Sequence, residues 1–170
     1  MPKRFILVIL FLGVLLVGAL QLFIWLNRST SADELRVRAR QLPDLELTDL
    51  QGNRVSLETG TPLVLIYFNS ECDHCQREIE ALKKDIQLFR RCSLVLMSSQ
   101  PLPEIISFVA ASGFKPADSV AVVHVSYESI ATSFGQLTLP QIFVYSREGK
   151  LVGLFSGETN PAQIAEVIPE

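Results

Sequence analysis

The sequence predicts an α/β domain built on a parallel core, and three observations carry that prediction. Apolar runs of strand length recur at Leu63–Phe68, Leu94–Met97, Val120–Val125 and Ile142–Tyr145. Between them lie stretches with helical spacing; from Cys75 the apolar positions are Ile79, Leu82, Ile86 and Phe89, in steps of four, three, four and three. Strand, helix and strand then follow within about 35 residues, the length of a βαβ unit, whose strands run parallel with a right-handed crossover in nearly all cases.

Ahead of that domain stands a segment of another kind. Residues 1–4 form a short tail with Lys3 and Arg4, and residues 5–26 are nearly uncharged, with Gln21 the only polar side chain. That run is long enough for the roughly 30 Å hydrocarbon core of a bilayer, so a single transmembrane anchor is expected. Thr30-Ser31-Ala32 is a weak cleavage site, so an uncleaved anchor is favoured over a signal peptide. Lys3 and Arg4 argue for a cytoplasmic N-terminus, while Arg28, Arg36, Arg38 and Arg40 oppose them from the far side. The expectation adopted is N-terminus in, domain on the periplasmic or extracytoplasmic side. Residues 27–42 form a juxtamembrane linker that fits a helix or a strand equally, and the domain occupies 43–170.

Within the domain, Leu45, Leu47 and Leu50, then Gly52-Asn53, then Val55 and Leu57 predict two short strands around a turn. Pro101 and Pro103 open a helix whose inner face is expected at Ile105, Ile106, Val109 and Ala110, with Gly113 as its stop. Tyr127–Phe134 forms a short helix closed by Gly135. Ile142–Tyr145 and Leu151–Phe155 flank Arg147-Glu148-Gly149-Lys150 as an antiparallel hairpin, and Pro161–Ile168 supplies a closing helix.

The chemistry gathers at Cys72-Asp73-His74-Cys75, where the first apolar strand gives way to a helix. Cys72 precedes the helix, where unpaired N–H groups and the dipole favour an anion, so it is the thiol expected to ionise and attack. Cys75, one turn in, can resolve the mixed disulfide. A protonated His74 would stabilise the Cys72 thiolate and Asp73 would oppose it; Glu71 is the third neighbouring group with a tuning role. A structural zinc site needs four ligands, and only Cys92, His74 and His124 remain to complete one. Cys92 reads as a core thiol. Fifteen Lys and Arg against eighteen Asp and Glu, a net charge of -3, give no reason to expect nucleic acid.

Taken together, the strand, the Cys-x-x-Cys at a helix start, the alternation that follows and Leu139-Pro140 before a hairpin and final helix resemble the thioredoxin fold. The N-terminal β extension and the anchor resemble the membrane-tethered TlpA/ResA-type thiol–disulfide oxidoreductases over residues 43–170. The resemblance implies that Cys72 is the nucleophile and Cys75 the resolving thiol. It also implies that Pro140 is a cis-proline against the disulfide, and that the backbone of Leu139 pairs with a bound peptide. Two departures stand out: Glu71 replaces the Trp before the first cysteine, and Ile66 occupies the place of thioredoxin's buried acid, so the base for Cys75 is unassigned. The expected function is disulfide exchange with protein thiols by a tethered extracytoplasmic reductase that needs a redox partner but no cofactor. The alternative is a Sco-like copper module using Cys72, Cys75 and His124. A peroxiredoxin motif would need Pro at Leu65 and Thr at Asn69, and has neither.

Overall fold

The computed structural model describes residues 3–113 and 120–170, without the side chains of 3–8, 10 and 25–31. The chain divides into two compact units, Met1–Val37 and Arg38–Glu170. The first is dominated by helix α1, Lys3–Arg38, so the linker sequence that fitted helix and strand equally is helical to Arg38. On it Ile9, Phe11, Leu12, Val14 and Leu16 are each more than half exposed. Among the described residues, no helix is long and apolar enough to cross a membrane. The expected 5–26 span falls partly on side chains outside that set.

Among the described residues, the second unit is built around a seven-stranded mixed sheet with order β2-β1-β5-β4-β3-β6-β7. Its strands are β1 Leu47–Thr48, β2 Arg54–Val55, β3 Leu63–Tyr67, β4 Ser93–Ser98, β5 Val120–Val125, β6 Gln141–Tyr145 and β7 Leu151–Ser156. β3, β4 and β5 pair in parallel, and the pairings of β3 with β6, β6 with β7, β5 with β1 and β1 with β2 are antiparallel. β3 and β6 are buried along their whole length, as strands covered on both faces must be. Asp118, where the thioredoxin-fold resemblance would start this strand, lies outside the described residues.

The helices of this unit are α2 Asp73–Lys84, α3 Leu102–Ser112, α4 Tyr127–Phe134 and α5 Pro161–Glu166. Two expectations need correction. The apolar stripe from Cys75 to Phe89 is not one helix: α2 ends at Lys84, with Asp85 as its C-cap, and Ile86–Phe89 is a separate 3-10 turn, with Phe89 still buried. The inner face of α3 is also rotated. Ile105 is buried and Phe108 packs its ring 5.3 Å from Phe68, whereas Ile106 is 44% exposed and Ala110 faces solvent. An aromatic contact to the strand end chose the face, and aliphatic spacing alone could not rank Phe108. Gly113 ends α3 in the left-handed region (φ 67), where a Cβ would be strained.

Pairing registers then place the site. Tyr67 at the end of β3 faces Gln141 at the start of β6. Phe68 and the loop after it therefore share one sheet end with Pro140.

Candidate active site

The turn from β3 into α2 is held by side chains that leave Cys72 at the helix start. Gln100, just past β4, accepts the Ser70 N–H through Oε1 (2.6 Å) and donates from Nε2 to Ser70 Oγ (2.9 Å) and Glu104 Oε2 (3.0 Å). Asn69 Oδ1 accepts the Glu71 N–H at 2.7 Å, and the Asn69 carbonyl accepts the Cys72 N–H at 3.2 Å. Cys72 is the N-cap residue of α2, with extended backbone (φ -86, ψ 113), and its carbonyl accepts the Gln76 N–H at 3.0 Å. It is half-buried, and Cys75 is fully buried.

Both thiols are free. Burial pushes the Cys75 thiol up to about 12; a hydrogen bond from the Asn69 backbone pulls the other way, while the Cys72 thiol and the Glu78 charge add to the rise. Glu78 is a further candidate site residue, absent from those the sequence singles out. It stands one turn beyond Cys75 on the inward stripe of α2 and is 2% exposed. Its Oε2 accepts the Thr159 N–H at 2.7 Å, and Oε1 has no partner among the described residues. Burial lifts its carboxyl to about 7; the Thr159 N–H lowers it and the charge of Glu158 raises it further. The signal was present, because positions 75, 78, 79 and 82 lie on one helical face and an acid among them must be buried.

The other expected residues are placed as follows. Glu71, Asp73 and His74 are exposed. His74 Nδ1 lies 2.9 Å from an Arg77 guanidinium nitrogen and 3.6 Å from Glu158 Oε2, and Arg77 Nε donates to Glu158 Oε1 in a close ion pair. Leu139 is half-buried and Pro140 buried; the peptide between them is cis, and the Pro140 carbonyl accepts the Gly157 N–H at 2.8 Å.

His124 sits on β5 opposite Ser98 of β4, two strands from β3 and so about 10 Å across the sheet. Among the described residues, no three His, Cys, Asp or Glu side chains are grouped to hold a metal, so Cys72, Cys75 and His124 do not converge. Cys92 is buried and donates to the Phe89 carbonyl (3.3 Å); burial pushes its thiol up to about 11 against the pull of Arg91.

Residues 39–153 match the AhpC/TSA family. The chain belongs to that family. Among curated proteins no sequence matches it significantly. Solved structures similar to this AhpC/TSA chain share the thioredoxin-like fold. A candidate electron transfer protein from Aquifex aeolicus VF5 is 17% identical with a TM-score of 0.64, over 76% of this chain and 91% of that one. A candidate protein disulfide isomerase from Bacteroides thetaiotaomicron is 21% identical (TM-score 0.63, 76% and 84%). The thioredoxin domain of a thiol–disulfide oxidoreductase from Bacteroides vulgatus is 18% identical (0.63, 77% and 97%). Within the AhpC/TSA fold, the positions where a peroxiredoxin motif would need Pro and Thr hold Leu65, buried inside β3, and Asn69, which caps the turn.

Proposed function

We propose that this AhpC/TSA-family protein is a thiol–disulfide oxidoreductase of TlpA/ResA type, acting through Cys72 and Cys75 on protein clients outside the cytoplasm. The observation that carries the proposal is the asymmetry of the two thiols. Cys72 caps α2 within reach of a client, whereas Cys75 is buried, pushed up to about 12 and in the field of a buried acid. In the reducing direction the Cys72 thiolate attacks one sulfur of a client disulfide, and the first client thiolate leaves. Cys75 gives its proton to the Glu78 carboxylate and attacks Cys72 Sγ, expelling the second client thiolate. The client gains two electrons, the Cys72–Cys75 pair becomes a disulfide, and a dithiol partner restores it. No small-molecule cofactor enters the balance. Leu139 and Pro140, at the same sheet end, line the approach to the thiols and offer backbone to the client.

The membrane half of the proposal rests on the 22-residue uncharged run 5–26 and on the outward-facing apolar side chains of α1. The proposal puts the N-terminus, with Lys3 and Arg4, in the cytoplasm and the domain on the periplasmic side, where disulfides persist.

Trapping tests the site. A Cys75→Ser full-length chain should accumulate mixed disulfides with client proteins, and Cys72→Ser should accumulate none. Equilibration in thiol redox buffers then fixes direction. A potential at or below about -250 mV, near thioredoxin's, marks a reductase, and one around -120 to -180 mV an oxidant. Absence of any reversible Cys72–Cys75 disulfide would overturn the proposal.

A further inference from the structure

Resting on that redox function, we infer that Glu158, in the loop between β7 and α5, is a positioning residue that sets the proton and electron affinity of the cysteine site through Arg77, His74 and Glu78. One short loop meets the site three times. The Gly157 N–H holds the Pro140 carbonyl (2.8 Å), the Thr159 N–H holds Glu78 Oε2 (2.7 Å), and the Glu158 carboxylate pairs with Arg77 and faces His74 Nδ1 (3.6 Å). Arg77 and His74 are the only basic side chains between Cys72 and Glu78. The carboxylate facing both of them comes from 81 residues further along the chain.

The sign of its effect is the same at every group. Partial desolvation pushes the Glu158 carboxyl up, but the hydrogen bond and charge of Arg77, then of His74, bring it below its ordinary value, so it is an anion at neutral pH. As an anion it offsets the Arg77 charge and raises Glu78. The charged or titratable groups around Glu78 are Cys75 and Asp85 on α2, Arg77 beside it and Glu158 opposite. Removing the Glu158 charge therefore leaves the site more positive. Carboxylate at Glu78 and thiolate at Cys72 are then both favoured, and a favoured thiolate makes the disulfide easier to reduce. Glu158 keeps the pair more reducing and makes its buried acid a stronger base.

The test compares full-length Glu158→Gln, Glu158→Asp and Arg77→Gln chains by equilibration with glutathione and by the pH profile of mixed-disulfide resolution. Glu158→Gln should shift the equilibrium about threefold toward the dithiol, the scale on which exposed charges couple, and move the acidic limb of the profile to lower pH. Arg77→Gln should shift both readouts the opposite way, and Glu158→Asp should restore the wild-type values. Opposed signs separate charge from packing, because a merely loosened loop would move both Gln variants alike. Shifts of one sign, or none, in chains that still form the Cys72–Cys75 disulfide reversibly would overturn the role of Glu158 while leaving the redox function intact. Loss of reversible disulfide formation in the wild type would remove both.

Discussion

Glu78 combines two properties that pull against each other: it is almost wholly buried, yet the proposed reaction needs its anion. Its carboxyl sits at about 7 rather than 4.5, chiefly through burial, and that gap corresponds to about 3 kcal/mol at about 1.36 kcal/mol per pH unit. For an acid whose value is raised by folding, the associated stability is full below pH 4.5 and is gone once the pH passes about 7. Glu78→Gln should therefore be more stable than wild type at pH 8, by up to about 3 kcal/mol, and close to it at pH 4; urea unfolding at the two pH values measures the difference. The same variant should slow release of mixed disulfides at pH 8, where wild type holds the carboxylate, and erase the step in rate near pH 7. A variant that resolves them at the wild-type rate would exclude Glu78 as the proton acceptor. Cys72, Cys75 and their place at a helix start were legible in the sequence, because thiol spacing and strand-to-helix punctuation are local. Glu78 was legible only as a breach of the apolar stripe. Glu158 was not legible at all, since its partner Arg77 lies 81 residues away and no local pattern encodes that approach.

At the scale of elements, the strands and their order of appearance followed from apolar runs, whereas the helix faces depended on contacts that spacing does not rank. α3 shows this. Ile105→Ala should cost about 2–5 kcal/mol, as for a buried aliphatic residue. Ile106→Ala, one residue on, should stay within about 0.5 kcal/mol because Ile106 faces solvent. Thermal or denaturant midpoints of the pair decide whether the face is the one centred on Ile105 and Phe108. Strand β7 meets Val167, the C-cap of α5, more closely than its sequence suggests. A Cβ at Gly153 would lie 2.7 Å from Val167 Cγ2 and 3.2 Å from Val144 Cβ. Gly153→Ala should then destabilise by about 1–3 kcal/mol through overpacking. A rise in melting temperature would mean that α5 yields freely.

For the whole molecule, the division at Val37/Arg38 separates the proposed anchor from the catalytic unit. The full chain should partition with membranes and resist extraction at high pH. A chain beginning at Arg38 should stay in the soluble fraction and retain a reversible Cys72–Cys75 disulfide; partition of the full chain to the soluble fraction would remove the anchor from the proposal. Distance along the chain has a further consequence. The cysteines are followed by more than half of the domain, and the Thr159 N–H that grips Glu78 comes near its end. During synthesis the two thiols leave the ribosome well before the segment that completes their acid. Nascent protein thus carries a cysteine pair before the contact that holds Glu78 is made, and under the proposed mechanism competence to turn over clients arrives only when the last strand and helix have docked.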